Sequence, residues 1–480
     1  MGNKHVYTLL ALIFVAAFVL NSFVLFFKPI HEDAYFSLRY IETLKENLLP
    51  ILSDDLSYGG RSIEEPFLFY YLIRIGSSFH DVFVRIIPAL LISSLVLIIF
   101  LISRQFVSKT LALIPSLFAA FIPVMFKINT LSPQALAFPI LFLLIYSFTK
   151  IEDKRFLYLF VALSFLLPLT SFLSIFYIFA ILLYFFIVGI ERKKISALEG
   201  EALLFSLFVN VFLTLFVFRD SLLAYGPSFI WQNIPSVILA EFFREFALIG
   251  TLGNIGIASL FLGAVGFLFS FREKNSIFLA SFLISSLVFL WLRLVPFNIG
   301  LIIFSLTLAS LSSLSLKSFF PYLRETKFSD YRQQILGGIF IIVLLTSILP
   351  SVITAARFES EVGKEVLEAF GFLNKEDTTI LAPYKYGHAI AFLGNRNVAD
   401  SKFLLAPSPK KRLEDINLVY TSQSEALVLE VIGRYDVEYI IFDDFVRERF
   451  GVEELIYVKD ENCFLKIYEN YETEVYEIKC

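Results

Sequence analysis

The residues able to do chemistry are few in this sequence, and they sit at the ends of long apolar runs. The first group is His31-Glu32-Asp33-Ala34-Tyr35-Phe36-Ser37-Leu38-Arg39-Tyr40, directly after the apolar run His5 to Phe27. Carboxylates at a lipid–water boundary can hold a divalent cation or position an acceptor beside a lipid phosphate. Read without chemistry, Glu32 and Asp33 complement the dipole at a helix start. Later comes Leu56-Ser57-Tyr58-Gly59-Gly60-Arg61-Ser62-Ile63-Glu64-Glu65-Pro66, in which Gly-Gly marks a turn and Pro66 can start the next helix. Glu241, in Ser236-Val237-Ile238-Leu239-Ala240-Glu241-Phe242, is an acid in apolar surroundings that needs a partner or a job, and Arg244 is one candidate partner. Arg293, in Trp291-Leu292-Arg293-Leu294-Val295-Pro296, can snorkel to headgroups or bind a phosphate or carboxylate with both ends of its guanidinium. The last group runs from Tyr384-Lys385-Tyr386-Gly387-His388 to Asp400, where a lone histidine is more often structural than catalytic.

The elements that must carry these residues are membrane spans. Of 480 residues, 57% are hydrophobic and 18% charged, and the mean hydropathy is +0.75. No soluble domain of this length keeps such a composition in water. The 57 phenylalanines fill unbroken runs rather than short alternating ones, which favours helices over barrel strands. With about twenty apolar residues per crossing, the expected spans are His5–Phe27, Ile86–Ile102, Leu111–Phe126, Gln134–Phe148, Phe156–Pro168, Phe172–Gly189, Leu203–Phe218, Ala247–Phe271, Ile277–Trp291, Ile299–Leu316 and Ile335–Ala356. The fold class is therefore a polytopic α-helical membrane protein of about eleven spans. Its domains are 1–356, with outer loops at 29–81 and 219–246, and a soluble α/β unit over 357–480. The strand Thr379–Ala382, a helix near Ser422–Tyr435 and the strand Val437–Phe442 suggest that unit.

Basic residues alternate between loops. Arg104 and Lys109, then Lys150, Lys154 and Arg155, then Arg192, Lys193 and Lys194, then Arg272 and Lys274, then Lys317, Arg324, Lys327 and Arg332 mark the cytoplasmic side. With Lys4 inside and an odd number of spans, the C-terminal unit is expected outside the cytoplasm, together with both long loops. The net charge of −4 gives no reason to expect nucleic acid. Cys463 and Cys480 lack the neighbours a zinc site needs, and can stand as a disulfide or as two thiols.

Taken together, these stretches resemble the catalytic subunit of oligosaccharyltransferases and, more widely, the GT-C superfamily of membrane glycosyltransferases. Asp33 to Arg39 is similar to the "DPYFHYR" stretch of that family, Tyr58 to Pro66 to "YPDGR…PP", Ala240-Glu241 to the end of "TIxE", and Tyr386 to Asp400 to "DYGHWIAFYGNRKPVADN". The resemblance implies Asp33 and Glu241 as catalytic residues, and as the metal ligands if Mg²⁺ or Mn²⁺ is used. It implies Arg293 and Arg61 at the donor phosphate, and Tyr386, Gly387 and His388 on the acceptor side. The implied partners are a polyprenyl-linked sugar donor, a protein or glycan acceptor and the bilayer, with inversion at the transferred sugar. Two departures stand out. Lys385 replaces the acid of the family's "WWDYG", and Lys127-Ile128-Asn129-Thr130-Leu131-Ser132-Pro133 lacks the carboxylates of the second loop. Those departures leave room for a metal-independent transferase with no cofactor, for a divergent metal-dependent oligosaccharyltransferase, and for a non-catalytic protein that binds lipid-linked glycan or scaffolds the envelope.

Overall fold

A computed structural model describes residues 3–28, 30–128, 131–243, 247–327, 331–358, 360, 362–373 and 377–480. The chain divides into two compact units, neither continuous in sequence. The first is Met1–Phe27, Glu65–Arg219 and Ala240–Phe358, and the second is Lys28–Glu64, Asp220–Leu239 and Glu359–Cys480.

The first unit is helical throughout. Among the described residues seven helices are long and apolar enough to cross a membrane: Lys4–Phe27, Phe83–Ser103, Leu173–Ile190, Ala197–Val217, Lys274–Trp291, Phe297–Leu323 and Gly337–Ala356. The expected span Ala247–Phe271 is instead two helices, Ile249–Ile255 and Ile257–Ser270, meeting at 79°. Gly256 makes the corner at φ +90°, a backbone that side chains with a Cβ rarely adopt. The expected span Leu111–Phe126 is also broken. Its helix covers Leu113–Ala120, and a 3₁₀ turn follows over Pro123–Lys127. Pro123 lacks an N–H and holds Ile122 extended, so the α-helix cannot run through. Gln134–Phe148 has 15 residues, about 22 Å of helix against a hydrocarbon layer of roughly 30 Å.

Many polar side chains inside this unit bond the backbone or each other. Ser305, Thr307 and Ser310 of the long helix donate back to carbonyls four residues earlier. Between neighbouring helices Ser164 and Ser206 share a 2.7 Å hydrogen bond, as do Ser174 and Thr214, while Asn210 donates to the carbonyl of Ser164 at 3.2 Å. In an apolar medium such pairs join helices that hydrophobicity alone would not hold together.

The second unit is built on a mixed five-stranded sheet. Its order is Arg396–Asn397, Thr379–Leu381, Tyr439–Asp443, Thr473–Ile478 and Phe464–Glu469. The first three strands run parallel, and the last two join as an antiparallel hairpin edge. A parallel pair needs a crossover, and the short helix Gly387–Phe392 supplies it between Thr379–Leu381 and Arg396–Asn397. Apolar residues cover both faces. Val419, Tyr420, Val428, Ile440 and Phe442 belong to one cluster, and Val366, Phe370, Ile380, Ile441 and Val475 to the other. The segment after the first span is a 15-residue helix, Glu32–Glu46, rather than open loop. Its Tyr35 joins the second cluster. Cys463 and Cys480 are paired as a disulfide with Cα atoms 5.0 Å apart.

Candidate active site

The turn over Ser57–Arg61 comes first because it brings distant residues together. Tyr58, Gly59 and Gly60 all have positive φ, at 57°, 71° and 104°. Two consecutive glycines let the chain reverse between the short paired strands Ser53–Asp54 and Arg61–Ser62. The reversal delivers three donors to Asp400. Arg61 Nη1 lies 3.1 Å from Asp400 Oδ1 and Nη2 lies 3.0 Å from Oδ2. The Ser57 hydroxyl donates to Oδ2, and the Tyr58 hydroxyl donates to the Asp400 carbonyl at 2.5 Å. Arg61 also sits 3.7 Å from Asp54, which accepts from both ends of Arg39. The result is an alternating chain of charges, Arg39, Asp54, Arg61 and Asp400, with the last two side chains 2% and 0% exposed. Charges so deeply buried persist only when paired and hydrogen-bonded, and removing one partner costs about 3–5 kcal/mol.

Gly387 and His388 lie against the same aspartate. A Cβ on Gly387 would stand 2.4 Å from the Ala399 carbonyl oxygen and 2.5 Å from Asp400 Cβ, so no other residue fits there. Asn397 donates to the Gly387 carbonyl at 2.9 Å. His388 is fully buried, with Nδ1 3.4 Å from Asp400 Oδ2 and its ring 5.3 Å from that of Phe36. Burial, with Arg61 nearby, holds its pKa well below the ordinary histidine value, so the ring is neutral. Tyr386 is buried too, and its hydroxyl donates to Asp443 Oδ2 at 2.5 Å. Burial pushes the Asp443 pKa up, and the hydrogen bond from Tyr386 pulls it partly back.

Asp33 is exposed, in the first turn of helix Glu32–Glu46. Ser401 Oγ donates to its Oδ1 at 3.3 Å. The next residue, Lys402, donates its N–H to Asp400 Oδ1 at 2.9 Å and accepts from Arg61 at its carbonyl. Its ammonium stands over the Phe36 ring, 4.0 Å from the centroid. Arg61, Gly387 and His388 thus lie against Asp400, and Asp33 meets its neighbour Ser401. Sequence reading singled out neither Asp400 as their anchor nor Lys402. The available signal was Arg61 itself, a cation in a turn that must find a carboxylate when buried.

Glu64 caps the helix Arg219–Tyr225, accepting from the N–H of Asp220 at 2.6 Å and of Ser221 at 3.0 Å. The other two candidate residues belong to the first unit. Glu241 is half-buried at the end of the short helix Ser236–Glu241. Arg293 has φ +57° and follows the helix Lys274–Trp291, with the Leu294 N–H bonded to the Phe289 carbonyl at 2.9 Å. That is the helix-ending position where glycine is usual. An arginine there carries about 1 kcal/mol of backbone strain. Its guanidinium stacks 5.1 Å from the Phe243 ring centroid. Arg244, Asn129 and Thr130 lie outside the described residues. Among those described, no group of three or more His, Cys, Asp or Glu side chains is arranged to hold a metal ion.

No family model matches the sequence, and no curated protein matches it. Solved structures do. The apo oligosaccharyltransferase of Archaeoglobus fulgidus aligns with 100% of this chain and 75% of its own at 14% identity, with a TM-score of 0.72. ArnT from Cupriavidus metallidurans bound to undecaprenyl phosphate aligns over 99% of this chain and 98% of its own, at 12% identity and a TM-score of 0.54. The arabinofuranosyltransferase AftD from mycobacteria covers 100% of this chain with 40% of its own, at 12% identity and a TM-score of 0.56. At such identities the likeness is one of fold alone, and this chain shares the fold of these three solved structures.

Proposed function

We propose that this protein is a membrane glycosyltransferase that moves a sugar from a polyprenyl-phosphate donor to a protein or glycan acceptor on the extracytoplasmic face. The observation that carries the reading is Asp33. It is an exposed carboxylate in the first turn of a helix that immediately follows the first span, steadied by Ser401. In this role Asp33 takes the proton of an acceptor hydroxyl while the oxygen attacks the anomeric carbon. The bond to the donor phosphate breaks, and the configuration inverts. Arg293, held in a strained backbone beside Phe243, is the basic residue proposed for the donor phosphate. Arg61 serves as the strut of Asp400, and Tyr386, Gly387 and His388 form the acceptor-side wall. The Cys463–Cys480 disulfide supports an oxidising compartment for the second unit. The basic loops support the same orientation. Seven long helices, the bent pair and the two shorter apolar helices Leu113–Lys127 and Gln134–Phe148 make ten crossings, and eleven if the 17-residue helix Lys154–Thr170 is counted as well.

Asp33→Asn keeps the shape of the side chain but cannot take the proton. It should abolish release of radiolabelled sugar from a polyprenyl-phosphate donor while leaving the detergent-solubilised protein monodisperse and its melting temperature nearly unchanged. If Asp33 only complements a helix dipole, the substitution costs about 1 kcal/mol or less and leaves release intact. That result would remove the mechanism. A second reading, which rests on the resemblance of Ala240-Glu241 to the end of "TIxE", is a metal-dependent transfer using Asp33 and Glu241. Loss of activity in EDTA that Mn²⁺ restores would select it.

A further inference from the structure

We propose that a cavity of about 420 Å³ in the second unit binds an acidic sugar residue of the acceptor, an inference that rests on the transferase reading above and names the acceptor class. Two chain segments form the cavity. One is the loop from Asn233 to Pro235, and the other is Ser408 with the helix Pro409–Thr421, through Lys411 and Glu414. The Asn233 side chain is fixed, since its Nδ2 donates to the Tyr225 hydroxyl and to the Phe403 carbonyl, both at 3.1 Å. Those bonds use both amide protons, so Oδ1 is the atom left for a ligand. The Ser408 hydroxyl makes no cap bond to its helix. Lys411 is exposed and has no ion pair among the described residues. Asn233 and Ser408 both hold positive φ, at 53° and 50°, a backbone that costs energy in residues with a Cβ and collects at binding sites.

The cavity thus offers an amide oxygen, a hydroxyl, a carboxylate and an ammonium beside the apolar Ile234 and Pro235. A sugar hydroxyl both donates and accepts, so a pyranose satisfies this mixed set while its C–H face meets the apolar side chains. The Lys411 ammonium takes the carboxylate of the sugar. Glu414 repels a dense polyanion and accepts from hydroxyls, so a ring with several hydroxyls and one charge fits better than an acidic peptide. A peptide would need a sheet edge or an apolar anchor pocket, and these lining residues supply neither. The volume holds about one or two sugar rings. One short segment ties the cavity to the proposed base: Ser401 donates to Asp33, Phe403 accepts from Asn233, and Ser408 lines the cavity. Seven peptide bonds join Ser401 to Ser408, roughly 25 Å at full stretch. A short oligosaccharide spans that distance, with its far end in the cavity and its acceptor hydroxyl at Asp33.

The test uses the full chain in lipid nanodiscs and reads saturable binding of three probes. They are xylotriose carrying a single glucuronic acid, neutral xylotetraose, and hexaglutamate as the acidic peptide. The acidic sugar should bind about fivefold or more tighter than either of the others. Lys411→Gln should weaken it about fivefold and leave xylotetraose unchanged, while Lys411→Arg should bind as the wild type does. Lys411 is exposed, so each variant should keep the wild-type melting temperature. Equal binding of the acidic and neutral sugars, or unchanged affinity in Lys411→Gln, overturns the inference. Tighter binding of hexaglutamate assigns the cavity to a protein acceptor and overturns it as well, as does the absence of saturable binding by the wild type. Binding is read without turnover, so each of these failures leaves the transferase reading to the Asp33→Asn assay.

Discussion

At the scale of single residues, the second unit depends on a histidine that must stay neutral. His388 is fully buried and its pKa lies well below the ordinary value, chiefly through burial. Between the folded value and the unfolded value of about 6.5 only the unfolded chain takes up a proton. Stability therefore falls as pH drops below about 6.5, at up to about 1.4 kcal/mol per unit. Protection of the amides in Gly387–Phe392 against hydrogen exchange should decline over that window in the wild type. In His388→Gln the decline should flatten. An unchanged slope in the variant would assign the pH dependence to other groups. Arg61 and Asp400 show a related economy, since one buried pair, itself enclosed by Ser57 and Tyr58, anchors the Lys402 peptide and packs against Gly387 and His388 at once.

At the scale of elements, the first unit is set by how closely two helices approach. A Cβ on Gly266 would stand 2.0 Å from the Leu311 carbonyl oxygen, and one on Gly263 would stand 2.7 Å from Leu308. Both glycines lie on the helix Ile257–Ser270, facing the helix Phe297–Glu325. Ser315 completes the contact by donating to the Leu262 carbonyl. Small residues permit such backbone contact between helices in lipid. Gly266→Ala must push the helices apart, at a cost of about 1–3 kcal/mol or more. Gly337→Ala, where a Cβ would meet nothing within 4 Å, is the matched control. Thermal unfolding in one detergent should show a clear loss for Gly266→Ala and none for Gly337→Ala. Equal melting of the two would mean that the helix contact is looser than described.

At the scale of the whole molecule, the disulfide and the basic loops bear on sidedness. Cys463 and Cys480 close a separation of 17 residues, for which chain entropy gives roughly 3 kcal/mol of stabilisation. They are the chain's two cysteines, so an added cysteine reports topology alone. Tyr471→Cys, at a fully exposed position of the second unit, should react with an impermeant maleimide from outside intact cells. Glu152→Cys, in the exposed turn between the helices Gln134–Phe148 and Lys154–Thr170, should react only after the membrane is opened. Labelling of both from one side would overturn the orientation drawn from Lys and Arg counts.

Much of the fold was legible in the sequence because bilayer physics acts on local composition. A helix in lipid satisfies its own backbone, so the length of an apolar run predicts it without reference to any other segment. The strand at Tyr439–Asp443 and the helix Glu425–Arg434 were legible in the same local way. The breaks at Gly256 and Pro123 were not, since glycine and proline are common in membrane helices and only packing shows which of them bend the chain. Asp33, Arg61, Gly387 and His388 could be named from residue type and resemblance. The meeting of Arg61, Gly387 and His388 at Asp400 could not, because Arg61 and Asp400 are 339 residues apart and no periodicity spans that distance. Residue type established which groups could carry charge or a proton. The tertiary structure decided which were spent on holding the fold, because a buried charge must be paired and an exposed one need not be. Arg61 is thus a strut, while Asp33 is exposed, with chemistry still available to it.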